Sequence, residues 1–109
     1  MNITPFIERK DFARILRESK SPWVVVFATR WCGYCRRFLE VAKSSEFGGE
    51  LFIVDVDSED ESLWEEYNIP LVPTIMVFKD GREVFRQDGR PNIGLLKGDL
   101  ERALLSKSA

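Results

Sequence analysis

Trp23-Val24-Val25-Val26-Phe27-Ala28, followed after Thr29 and Arg30 by Trp31-Cys32-Gly33-Tyr34-Cys35, is the stretch from which the rest of the chain can be read. An unbroken β-branched and aromatic run of this kind is the pattern of a strand buried on both faces. Beyond Arg30 the period changes. Cys35, Phe38, Leu39 and Ala42 recur at helical spacing, while Arg36, Arg37, Glu40 and Lys43 fill the other side. The pattern predicts a helix over residues 32–46, ended by Gly48-Gly49, with both cysteines where strand gives way to helix.

That placement has chemical content. Cys35 falls on the buried stripe, whereas Cys32 sits at or before the first turn, exposed, where free backbone N–H groups and the helix dipole favour an anion. Cys32 is therefore the candidate nucleophile and Cys35 the candidate resolving thiol. Helical neighbours three apart have Cβ atoms roughly 5–6 Å apart, and a slight tightening reaches the roughly 3.5–4.5 Å of a disulfide. Gly33 puts no side chain over the outer sulfur. The rival readings are half of a structural metal site or two inert buried thiols. Zinc takes four ligands, and a chain with two cysteines and no histidine would have to share the ion with a second chain. The expectation is a redox-active disulfide with no further cofactor and no metal.

At 109 residues the chain is expected to form a single domain, 1–109. A net charge of -2 without a basic stripe does not indicate nucleic acid binding. No stretch approaches the roughly 20 apolar residues of a membrane helix. Met1-Asn2-Ile3-Thr4-Pro5 lacks the pattern of a signal peptide, so a cytoplasmic location is expected. A reducing cytosol suits two cysteines used catalytically. The bias toward Arg and Glu is also compatible with a thermophile, where intracellular disulfides can be structural. So short a loop would nonetheless make a poor staple.

Strand and helix alternate along the chain. Residues 3–7 read as a short strand, with an early helix at Thr4-Pro5 as the alternative, and residues 11–18 as a helix. Residues 51–56 form a second buried strand, and Ser58 is placed to cap a helix running to Tyr67. Residues 74–78 and 83–85 flank the hairpin signal Asp80-Gly81, and Leu96, Leu100, Ala103 and Leu104 mark a last amphipathic helix. The first half thus gives parallel strands with right-handed crossovers, and the second adds an antiparallel hairpin.

With these elements in place, the chain resembles the thioredoxin family over nearly its whole length. Trp31-Cys32-Gly33-Tyr34-Cys35 resembles the family's Trp-Cys-Gly-Pro-Cys, Val72-Pro73-Thr74 its cis-proline segment, Phe78-Lys79-Asp80-Gly81 its hairpin, and Gly89 its groove glycine. The resemblance implies an α/β thioredoxin fold with a central mixed sheet of four to five strands and helices on both faces. It also implies a cis Pro73 beside the sulfurs and a groove lined by Trp31, Gly33, Tyr34, Val72, Pro73 and Gly89. Reduction of protein disulfides would follow, with a thioredoxin-reductase-like or other electron donor and a monomeric protein. A disulfide oxidase or isomerase, a glutaredoxin-like protein and a binding module with an incidental dithiol are the alternatives.

Three departures from the family stand out. A buried Asp that usually precedes the motif is Val26 here, and the Lys that often partners it is Ile53. Tyr34 replaces Pro between the cysteines, which points to a less reducing couple, with a merely solvent-facing aromatic as the alternative. Arg90-Pro91-Asn92-Ile93 lengthens the connection after Gly89, and Asp88 places a carboxylate near the groove; both bear on partner choice, or the segment is a tolerated surface insertion.

Overall fold

The computed structural model describes residues 1–18, 22–57 and 63–107. Five strands form one sheet: β1 (Asn2–Ile7), β2 (Trp23–Ala28), β3 (Glu50–Asp55), β4 (Thr74–Lys79) and β5 (Arg82–Gln87), in the order β1-β3-β2-β4-β5. β3 pairs in parallel with both β1 and β2, whereas β2–β4 and β4–β5 are antiparallel. The mixed sheet expected from the alternation of elements is therefore present.

The helices are α1 (Arg9–Glu18), α2 (Gly33–Lys43), α3 (Leu63–Glu66) and α4 (Lys97–Lys107). Side chains alternate across each strand, so the two faces of β2 serve different layers. Val24, Val26 and Ala28 pack with Cys35, Phe38 and Ala42 of α2 and with Leu100 and Ala103 of α4. Val25 and Phe27 pack with Phe12 of α1 and Leu63 of α3. On that second face the Phe12 ring meets Phe27 at 5.6 Å and Phe78 at 5.5 Å between centroids, both edge-on, the arrangement aromatic quadrupoles favour.

The boundaries differ from expectation in physically traceable ways. α2 stops at Lys43 instead of residue 46: Ser44, the C-cap, leaves the helical path (φ -86°, ψ 0°), and the Ser44 and Ser45 hydroxyls donate to the Glu40 and Ala42 carbonyls, each at 2.8 Å. Residues 3–7 do form a strand, within β1, and its register shifts between Thr4 and Ile7. Pro5 has no N–H to give a ladder, which an edge strand tolerates. The expected cap Ser58 lies outside the described residues. Trp23 packs on Phe52 with centroids 4.3 Å apart, and Trp64 joins the α1/α3 layer, so both are packing residues as expected.

Candidate active site

The dithiol is built by the end of β2 and the start of α2. Cys32 is the N-cap residue of α2, with extended backbone angles (φ -82°, ψ 118°), and its Sγ accepts the Cys35 backbone N–H at 3.1 Å. One of the free donors of the helix start is thus satisfied by sulfur, the place of the Ser or Asp oxygen in an ordinary cap. The Arg36 N–H donates to the Cys32 carbonyl at 3.2 Å and begins the helical ladder. Both cysteines are free thiols.

Cys32 is less open than the sequence suggested. It is 5% exposed, against 1% for Cys35. The cause is the loop that precedes β4, whose Val72 carbonyl accepts from Cys32 Sγ at 3.7 Å. Burial pushes the Cys35 thiol well above its ordinary range, and its hydrogen bond with Cys32 adds to this. A hydrogen bond donated by the Thr29 backbone and the charge of Arg36 only partly offset the rise. Cys35 is accordingly a proton-bearing thiol, as its place on the buried stripe led us to expect.

The peptide bond Val72–Pro73 is cis. A Cβ on Gly89 would stand 2.5 Å from the Pro73 carbonyl oxygen, closer than any side chain can approach. The glycine is required by this contact and not by its backbone angles.

Trp31, 68% exposed, donates its indole N–H to Asp57 at 2.7 Å, and Trp64 donates to the other oxygen of the same carboxylate at 3.2 Å. Asp57 therefore fixes the tryptophan that flanks the dithiol, a role that no pattern in the chain marks. Tyr34, 39% exposed, lies under the Arg37 guanidinium, 5.0 Å from its ring centroid. Asp88 is not a free groove carboxylate: Arg86 Nε holds it at 2.7 Å, while the rest of that guanidinium donates to the carbonyls of Tyr67 and Asn68. Val26 and Ile53 are both fully buried.

The segment after Gly89 is more ordered than a tolerated insertion requires. Arg90 and Gly94 exchange backbone hydrogen bonds of 3.0 and 2.8 Å, closing residues 90–94 into a compact loop. Behind it lies Asp99, 1% exposed, which receives both terminal nitrogens of Arg90 at 2.9 and 3.1 Å, the Leu96 N–H at 2.7 Å and Arg102 at 2.5 Å. Burial alone would raise this carboxyl, but the hydrogen bond from Arg90, followed by those from Leu96 and Arg102, holds it below the usual carboxylate range. No sequence signal singled out Asp99, because an Asp near a helix start reads first as a cap or dipole partner. Among the described residues no group of three or more His, Cys, Asp or Glu side chains is arranged to hold a metal ion.

A mixed five-stranded α/β sheet carrying a vicinal pair of thiols at a helix N-terminus, next to a cis-proline loop, defines the class of thiol–disulfide exchange proteins. The chain belongs to the thioredoxin family, whose family model matches residues 4–101. Members of that family are protein-disulfide oxidoreductases. Thioredoxin 1 of Synechococcus elongatus is 31% identical over 87 residues, which are 77% of this chain and 81% of that protein. Protein disulfide-isomerase A5 of Bos taurus is 31% identical over 84 residues, which are 72% of this chain but only 16% of the bovine protein. The thioredoxin structure from Schistosoma mansoni superposes with a TM-score of 0.73 at 25% identity, covering 93% of this chain and 91% of that one.

Proposed function

We propose that the chain reduces disulfides in partner proteins, with Cys32 as nucleophile and Cys35 as resolving thiol. The observation that carries this assignment is the Cys32 sulfur at the α2 N-cap, accepting the Cys35 N–H at 3.1 Å. That bond holds the sulfur at the helix start, beside the Val72 carbonyl of the cis-proline loop, where a substrate disulfide would dock.

The exchange runs in two displacements. Cys32 thiolate attacks one sulfur of the substrate, the substrate S–S bond breaks, and the departing thiolate takes a proton from solvent. Cys35 then loses its proton and attacks Cys32 Sγ, releasing the second substrate sulfur and leaving a Cys32–Cys35 disulfide. The substrate has gained two electrons, and a reductase or comparable donor returns them. Val26 offers no base, so the Cys35 proton passes to water or to the departing sulfur. During the first step Trp31, Gly33, Tyr34, Val72, Pro73 and Gly89 line the contact, with the Val72 N–H as the donor to an extended substrate segment.

Insulin reduction by the wild-type chain, abolished in C32S, is the expected result. A C32S protein as active as wild type would overturn the reading and favour a binding role. A second reading, oxidase or isomerase, is favoured by Tyr34 in the place of Pro and by the similarity to protein disulfide-isomerase A5. The potential measured against glutathione separates the two. We further propose a monomer working in a reducing compartment such as the cytosol, since the only two cysteines of the chain are both committed to the site.

A further inference from the structure

Residues 90–94 do not merely pass by the dithiol. A Cβ on Gly94 would stand 3.1 Å from Tyr34 Cβ and 3.6 Å from Pro73 Cδ, so the loop touches both the residue between the cysteines and the cis-proline. Gly94 also has φ +77°, a conformation glycine adopts at little cost. Arg37 of α2 donates to the Ile93 carbonyl from the far side. Leu95, next in sequence, is 4% exposed and packs in the layer that holds Cys32 and Cys35. The loop thus lies against α2 and the cis-proline, beside the dithiol.

A loop of exposed Pro91, Asn92 and Ile93 has little apolar burial of its own to hold it there. Besides the Arg37 bond to the Ile93 carbonyl, the loop is held at its start by the fork of Arg90 on Asp99, a two-bonded guanidinium–carboxylate contact whose planar geometry leaves little angular freedom. Asp99 is itself immobilised by the Leu96 N–H and Arg102. Position is therefore transmitted from α4, through Asp99 and Arg90, to the loop beside Tyr34 and Pro73.

We propose that Asp99 is a positioning residue for the substrate groove: by gripping Arg90 it holds residues 90–94 fixed beside Tyr34 and Pro73, and so sets how tightly a folded disulfide partner docks. This rests on the reading of the dithiol as a reductase of protein disulfides. It goes further in placing part of partner recognition in an ion pair that touches neither sulfur.

Removing the buried carboxylate endangers the fold, so the principal variant is R90L. It frees the loop while Arg102 and Leu96 still satisfy Asp99. D99N is the companion, and F12L, on the opposite face of the sheet, controls for loss of stability alone. The expected result is a KM for insulin raised about fivefold or more in R90L with a smaller change in kcat, the signature of lost docking. The R90L/D99N double variant should be no worse than the more affected single one, since both cut one connection. Amide exchange at Gly94, whose N–H is bonded to the Arg90 carbonyl, should accelerate in R90L, while F12L lowers the melting temperature and leaves both KM and this amide unchanged. Unchanged Gly94 exchange in R90L would overturn the proposal, and so would faster exchange with an unaltered KM. A wild-type protein inactive on insulin would instead overturn the reductase reading; Gly94 exchange would still decide whether the ion pair holds the loop.

Discussion

Val26 of β2 and Ile53 of β3 are register partners on adjacent parallel strands, and neither exposes any surface. Val26 packs in the same layer as Cys35. The pair is apolar and shares a buried layer with a thiol that must give up its proton. Exchanging a buried ion pair for packed apolar side chains is often neutral or stabilising, so stability and proton transfer are set against each other here.

V26D should therefore speed resolution of the mixed disulfide by about tenfold or more near neutral pH, less than the roughly hundredfold of full general-base assistance because a thiol already ionises partly by itself. It should also lower stability by about 3–5 kcal/mol, the scale of an uncompensated buried charge. V26D/I53K should recover part of that loss. Stopped-flow exchange and thermal melts on the three proteins check both statements; a V26D rate equal to or below wild type would show that the site works without an acid.

C35S should accumulate mixed disulfides with its partners, because the first displacement survives and the second cannot occur. Pull-down from cell extract followed by reductant elution is the measurement. Trapping by C32S in place of C35S would reverse the two roles. Alkylation of the reduced protein followed by peptide mapping is an independent check, with Cys32 expected to label first.

Burial raises the Cys35 thiol in the folded chain, which gives stability a definite pH dependence. Above about pH 8.5 the unfolded thiol loses its proton while the folded one keeps it. The unfolded state then binds fewer protons, so the contribution of this thiol is complete below that pH and falls by about 1.4 kcal/mol per pH unit above it. C32S isolates Cys35, and C32S/C35S removes it. Denaturant melts between about pH 7 and 10 should show C32S losing stability relative to the double variant as pH rises; parallel curves would contradict the burial effect.

G89A should cost about 1–3 kcal/mol, the usual scale of overpacking, because the new methyl group would meet the Pro73 carbonyl. As that carbonyl belongs to the loop contacting Cys32, kcat/KM for insulin should fall as well. Unchanged values of both would mean that the loop shifts at no cost.

Much of this arrangement was legible in the sequence because local physics and global fold agree. The run at residues 23–28 is apolar on both faces and is the strand it reads as, and the helical recurrence of Cys35, Phe38 and Ala42 marks the face that is buried. Groove positions at Val72, Pro73 and Gly89 came from family resemblance, and the close approach of Gly89 to Pro73 supplies the physical reason for one of them. Less accessible were contacts made by polar side chains across long sequence separations. Asp57 with Trp31, Arg86 with the carbonyls ending α3, and Asp99 with Arg90 leave no periodic trace. Asp88, next to the groove glycine, is held by Arg86 two residues before it, a pairing that the i, i+2 alternation permits but does not announce. The openness of Cys32 was overstated because a helix start is exposed by default until another loop is laid over it.

The division of the core by the sheet has a consequence for how such a chain can change over time. Oxidation and reduction act on the layer that holds α2 and α4, whereas the rings of Phe12, Phe27 and Phe78 form a separate layer behind β2 and β4. Substitutions there can be accumulated or selected for heat resistance with the dithiol out of contact. The far layer is thus a reserve of evolvability, in which a lineage can adapt to a new temperature while its chemistry is conserved.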